Sequence, residues 1–184
     1  MRAHHLTAFI LAAAAALCLS CGGGGKFNYA KKYYPLKAEK RYYEEIEELN
    51  YEEVKSDPLK YRGARLGWFG IVKDYGDNKD GTITALLEYR TYRDRHLCDD
   101  RQIQNTCRVT VSHKAIGTFT ATFKPRKEDS EGKFQINYKS LLRIYGTPTG
   151  DYDDEGGPIV SCEYYRHWPA GTYVTTAAAN VLRQ

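Results

Sequence analysis

Few residues in this chain have the type and spacing that chemistry needs. Of its five histidines, His96, His113 and His167 lie beyond the N-terminal pair. A Ser-His-Asp arrangement requires a positioned nucleophile, and no Gly-x-Ser-x-Gly elbow occurs. Ser112-His113 and Ser161-Cys162 are neighbours along the chain only, because alternate strand residues point to opposite faces. No catalytic residue is assigned and no cofactor is implied. Zinc is disfavoured beyond the N-terminal leader by the absence of a Cys-x-x-Cys pair and of His-x-x-x-His. Among the five cysteines, Cys98 and Cys107 bracket a polar, turn-like stretch. In an oxidising compartment they read as a disulfide closing a loop, which would add roughly 2 to 3 kcal/mol. Cys162 is left over in a strand-like run and reads as a buried thiol. Its pairing with Cys98 or Cys107 stays open, since sequence does not fix connectivity.

Two acidic clusters come next. Asp74, Asp77, Asn78 and Asp80 form one; Asp151, Asp153, Asp154 and Glu155 form the other. Calcium takes six to eight oxygen ligands, and Asp74, Asp77 and Asp80 are the residues a weak divalent site would use. They lack the spacing of an EF-hand. Asp, Asn and Gly are ordinary turn residues, so solvated turns are expected and no metal is assigned.

The elements that must position these groups are mostly strands. The chain holds 16 Tyr, six Phe and one Met, a composition that favours strands over helices. One amphipathic helix is expected over 38–56. Tyr42, Ile46, Leu49 and Val54 recur on one face, and Glu44, Glu45, Glu47, Glu48, Glu52 and Glu53 cover the other. Like charges weaken an isolated helix, so it needs packing against a domain. Strands are expected at 65–73, 82–92, 108–111 with 118–123, 140–146 and 158–165, and a short terminal element within 172–182. Five or six short strands with long loops imply a small barrel or sandwich at 57–184.

The N-terminus sets the compartment. Arg2 precedes an uncharged, apolar run from Leu6 to Leu19, the layout of a secretory signal over 1–20. The run is shorter than the roughly 20 apolar residues a bilayer core requires. Leu17-Cys18-Leu19-Ser20-Cys21 resembles the lipobox of bacterial lipoproteins, with Cys18 where that box usually carries Leu. The resemblance implies acylation of Cys21 and a membrane partner through the lipid. Gly22, rather than Asp, follows the cysteine, which by the same resemblance favours the outer membrane. The alternative is ordinary cleavage and a soluble periplasmic protein. A flexible, lysine-rich tether is expected over 21–37, able to touch anionic head groups or simply to remain solvated.

Three segments carry a second resemblance. Asp57-Pro58-Leu59-Lys60-Tyr61-Arg62-Gly63 leads into Ala64–Val72 as in the opening of small secreted OB-fold domains. Leu142–Gly150 resembles their fourth strand. Pro158–Pro169, ending in His167-Trp168-Pro169, resembles the final strand of the Slp family of outer-membrane lipoproteins. The resemblance implies an OB-like barrel on an outer-membrane lipoprotein and no particular reaction. In an OB-fold the two acidic loops would flank the ligand face. Their negative charge repels phosphate backbones, and the formal net charge of +4 is too balanced to imply nucleic acid. An envelope glycan or protein is the partner class this leaves. Tyr89, Tyr145, Tyr165 and Trp168 are the candidate ligand contacts; Trp168 could equally plug the barrel end, with His167 bonded to backbone.

Overall fold

The computed structural model describes residues 32–100 and 106–183. The expected leader 1–20, Cys21 and the expected tether as far as residue 31 lie outside the described residues. In chain order the elements are α1 (Lys40–Glu45), α2 (Tyr51–Ser56), β1 (Leu66–Asp77), β2 (Ile83–Arg90), β3 (Leu97–Cys98), β4 (Cys107–Arg108), β5 (Thr110–Val111), β6 (Thr118–Phe123), α3 (Lys127–Ser130), β7 (Leu141–Tyr152), β8 (Pro158–Trp168) and β9 (Val174–Thr175).

Five strands close a barrel in the order β1-β2-β6-β8-β7, and β7 returns to pair with β1. Every pairing in it is antiparallel except β6 with β8. This is a five-stranded OB-like barrel, mostly β as the composition requires. Period-two alternation fills its interior with Leu66, Trp68, Val72, Ala85, Leu87, Phe119, Ala121, Leu142, Ile144, Val160 and Tyr165. Phe119 spans the lumen so closely that a Cβ on Gly70 would meet its ring at 2.9 Å. Where β7 and β8 slip register between Tyr145 and Gly146, a Cβ on Gly146 would lie 2.0 Å from the Ser161 carbonyl oxygen. Only glycine fits there.

The helix expected over 38–56 is two short helices separated by extended backbone. Ile46 turns out of α1 at ψ 142°. Glu47 N–H then donates to Arg65 O at 2.7 Å, and Trp68 Nε1–H to Leu49 O at 3.3 Å. Glu44 and Glu48, four residues apart, would repel each other along a continuous helix, and the tertiary hydrogen bonds replace that turn. Asn50 restarts the helix by capping Glu52 N–H at 3.0 Å. Glu52 and Glu53 in the first turn of α2 and Lys55 in its last complement the dipole. Tyr51 and Val54 then close one end of the barrel, and the Tyr51 hydroxyl donates to Thr118 O at 2.8 Å.

Strands β1 and β7 run further than their apolar stretches suggest. Asp74–Asp77 is still strand, beyond a bulge between Val72 and Asp74, and the turn itself is 78–82. Thr147–Tyr152 likewise belongs to β7, leaving Asp153–Gly157 as the turn. The terminal segment contributes β9, parallel to β5, and a 3-10 turn over Thr176–Asn180. The Cys98–Cys107 disulfide forms at 2.09 Å and ties β3 to β4. Reducing it in the folded protein is expected to lower stability by about 2 kcal/mol. Matched urea melts with and without dithiothreitol measure this, and coincident curves would contradict it.

Candidate functional site

The chain does assemble a Ser-His-Asp chain, from residues that no sequence spacing connects. Asp129 on α3, His167 near the end of β8 and Ser140 just before β7 meet at the barrel end. His167 Nδ1 lies 2.9 Å from Asp129 Oδ1, and Nε2 lies 3.0 Å from Ser140 Oγ. An ionised carboxylate only accepts, so Nδ1 carries a proton; in a neutral imidazole Nε2 would then accept from the serine hydroxyl. Asp129 Oδ2 also accepts from Tyr165 at 2.7 Å and Arg126 Nε at 2.8 Å. Burial opposes ionisation of this carboxyl, yet the bonds from His167, Tyr165 and Arg126 hold it down at about 2.

The resemblance to a hydrolase site ends at access. Ser140 is 0% exposed, and its Oγ also accepts Asn137 N–H at 3.1 Å. A nucleophile must reach a substrate carbonyl, and this one faces only protein. The network pins α3 and both barrel strands together. A fluorophosphonate probe is expected to leave Ser140 unmodified while the protein is folded; intact-mass labelling at that residue would contradict it.

The other sequence candidates are largely interior. Tyr145 is 1% and Tyr165 5% exposed, so neither contacts a ligand in this conformation. Tyr89 is half-buried and stacks on Tyr51 at 4.7 Å. Trp168 is half-buried in a second cluster on the outer wall, with Phe69, Tyr33 and Leu141. Its neighbour His167 bonds to side chains rather than to backbone. The four aromatic residues therefore do not share a contact surface. Cys162 is a free thiol, half-buried, and burial pushes it up to about 12, so it is not a reactive thiolate.

That second cluster holds the feature the sequence concealed. Residues 32–45 strap the outer wall of β7 and β8. Glu39, 0% exposed, accepts from the Tyr33 hydroxyl, from Tyr145 at 2.6 Å, from Leu36 N–H at 2.9 Å and from Arg166 at 3.0 Å. Beside it Arg143 is buried among rings, its guanidinium carbon 4.6 Å from the centre of Tyr33 and 4.8 Å from Phe69. Burial pushes both Tyr33 and Tyr145 well above the usual phenol range, with Glu39 reinforcing the shift. Alternation along β8 sends Tyr165 into the barrel and Arg166 out to Glu39.

Among the described residues nothing covers the wall on β2 and β6. Register places Asp74, Leu86, Thr120 and Ile159 in one row across four strands, and Gly76, Thr84, Thr122 and Ser161 in the next. The β1 bulge brings Asp74 and Gly76 onto this outer face. Together these rows floor a trough, of which a part of about 480 Å³ lies against Tyr152 and the 153–157 turn. The two acidic turns stand at its ends. Asp153 is consumed internally, accepting from Thr120 Oγ1 at 2.7 Å and Gly157 N–H at 2.8 Å. Glu155 pairs with Lys73 at 2.9 Å. Asp80 accepts from Thr82 Oγ1 at 2.7 Å and Thr82 N–H at 3.0 Å, bonds that hold its carboxyl below the ordinary range. Asp74 Oδ1 takes Tyr75 N–H, and Asp77 ends β1. Among the described residues no three His, Cys, Asp or Glu side chains converge as metal ligands. Compared with known proteins, the chain matches no family model and no curated protein.

Proposed function

We propose that this chain is a cell-envelope lipoprotein of Slp-like type, anchored in the outer membrane through Cys21. Its OB-like barrel serves as a non-enzymatic module that holds an envelope glycan or protein and takes no cofactor. The observation that carries this reading is the contrast between the two outer walls. The strap seals the β7–β8 side with aromatic rings and an ion pair, while the four-strand floor from Asp74 to Ile159 is left open by the described residues between two loops. OB-folds carry ligands on this wall, flanked by these loops. The threonine and aliphatic floor suits sugar hydroxyls and ring faces, and the carboxylates at its ends disfavour phosphate backbones.

Two measurements test it. Radiolabelled palmitate is expected to enter the wild type and not Cys21→Ala; an unlabelled wild type would remove the anchor and favour a soluble periplasmic protein. The full chain in detergent is expected to retain peptidoglycan fragments and not oligonucleotides. Gly76→Trp should abolish that retention without loss of stability, because a Cβ at Gly76 meets nothing within 4 Å. Retention of neither class would leave the barrel a structural role only.

A further inference from the structure

We infer that a hollow at one end of the open wall is a subsite for a carboxylated sugar residue. This rests on the proposed binding role of that wall and names the chemistry of one unit of the ligand. The hollow has a volume of about 280 Å³, at the small end of ligand pockets, and suits a single pyranose ring rather than an oligomer. Five chain segments converge on it. They are β1 at Lys73, β2 at Glu88 and Arg90, the turn at His113, the turn at Tyr138 and Lys139, and the C-terminal stretch at Tyr173. Lys73 links it to the trough, since its ammonium binds Glu155 on the far turn.

The wall is preorganised. Arg90, 9% exposed, bonds Glu88 with one end of its fork and the His113 carbonyl with the other. His113 Nδ1 lies 3.3 Å from Thr175 Oγ1. Arg90 therefore acts as a positioning residue that fixes the Glu88 carboxylate and the His113 turn.

Lys139 supplies the second line of argument. Its φ is 68°, the one non-glycine residue at positive φ among the described residues. An L residue with a long side chain there costs about 1 kcal/mol, which glycine or asparagine would reduce. The backbone is locked: Lys139 N–H donates to Val72 O, and its carbonyl accepts from the Tyr173 hydroxyl, each at 2.9 Å. Its ammonium makes no ion pair among the described residues and lies 5.2 Å from the centre of the Tyr138 ring. Tyr138 is itself 61% exposed. An unpaired cation over an open aromatic face, at the mouth of a ring-sized hollow, complements one negative charge on an apolar ring edge. Lys73 is already neutralised by Glu155, and Glu88 stays to accept sugar hydroxyls. The balance therefore suits a singly charged carboxylate better than a doubly charged phosphate.

The test uses the full chain in detergent micelles at neutral pH, titrated calorimetrically with glucuronate, glucose and inorganic phosphate. Glucuronate is expected to bind at least about tenfold more tightly than glucose or phosphate. Lys139→Asn and Tyr138→Ala should each weaken it by about tenfold. Asn accepts positive φ and Tyr138 is exposed, so both variants are expected to melt with the wild type. Phosphate binding as tightly as glucuronate would overturn the sugar-acid assignment, as would absence of glucuronate binding or indifference to both substitutions. Peptidoglycan retention that is lost in Gly76→Trp, alongside no glucuronate binding, would sink the subsite and leave the wall intact. Loss of both would remove the two readings together.

Discussion

Glu39→Gln is expected to lower the unfolding free energy by about 3 to 5 kcal/mol, the range for breaking a buried ion pair from one side. Glu39 is fully buried and accepts from two tyrosine hydroxyls, one backbone N–H and one guanidinium. Glutamine keeps the volume but offers one acceptor oxygen where the carboxylate offers two. Its amide would point a donor at other donors, and Arg166 would lose its counter-ion in a wall of aromatic rings. Arg143 sharpens the effect, because its Nε and one terminal nitrogen lack hydrogen-bond partners among the described residues, so the cluster depends on the Glu39 charge and the π faces. Guanidinium melts at pH 7 would show the change as a shift in midpoint, with near-UV circular dichroism reporting release of Tyr33 from Phe69 and Trp168. A loss below 1 kcal/mol would mean that the strap is held by ring packing alone.

Which parts of this architecture were legible depended on whether the signal was local. Strand identity came through, because inward positions of β2 and β6 alternate residue by residue: Ile83, Ala85 and Leu87 face Phe119, Ala121 and Phe123. The Cys98–Cys107 bond was legible for the same reason, two cysteines across a short polar loop. Strand ends were not. Asp74, Asp77 and Thr147–Tyr152 look like turn material, yet the barrel's long curved strands carry polar residues outward. The helix break at Ile46 was also hidden, since apolar spacing continues through it and the competing partner, Arg65, is 18 residues beyond Glu47.

The polar networks were the least legible part. Glu39 sits at the edge of a glutamate-rich segment that reads as a solvated face, but its acceptors serve Tyr145 and Arg166, each more than 100 residues away. Ser140, Asp129 and His167 lie on three separate elements. The Gly-x-Ser-x-Gly elbow and neighbours such as Ser112-His113 are local patterns, and local patterns do not reveal groups that a closed barrel brings to one end. The abundance of tyrosine was the available clue: several of these phenols are buried, and each then needs an acceptor. Tyr33 and Tyr145 find Glu39, and Tyr165 finds Asp129.

Asp129→Asn should remove about 3 kcal/mol at pH 7, and about half of that difference should vanish on acidification. Three donors converge on the carboxylate, from His167, Tyr165 and Arg126. Asparagine offers one acceptor oxygen and an amide donor, so at least one buried partner is orphaned, at roughly 1 to 3 kcal/mol each. The pH dependence follows from the carboxyl being held at about 2 against an ordinary 3.8. A depressed carboxyl stabilises the fold when ionised. Its contribution is complete above about pH 4 and is lost as pH falls towards 2. After allowance for solvent screening at the open edge of the group, that contribution is about 1 to 2 kcal/mol. Urea midpoints of wild type and variant, taken at several values between pH 7 and pH 2.5, should therefore converge towards the acid end. Curves that stay parallel over that range would show that the carboxylate charge does not hold the barrel end together, and that Tyr165 and His167 are placed by packing instead.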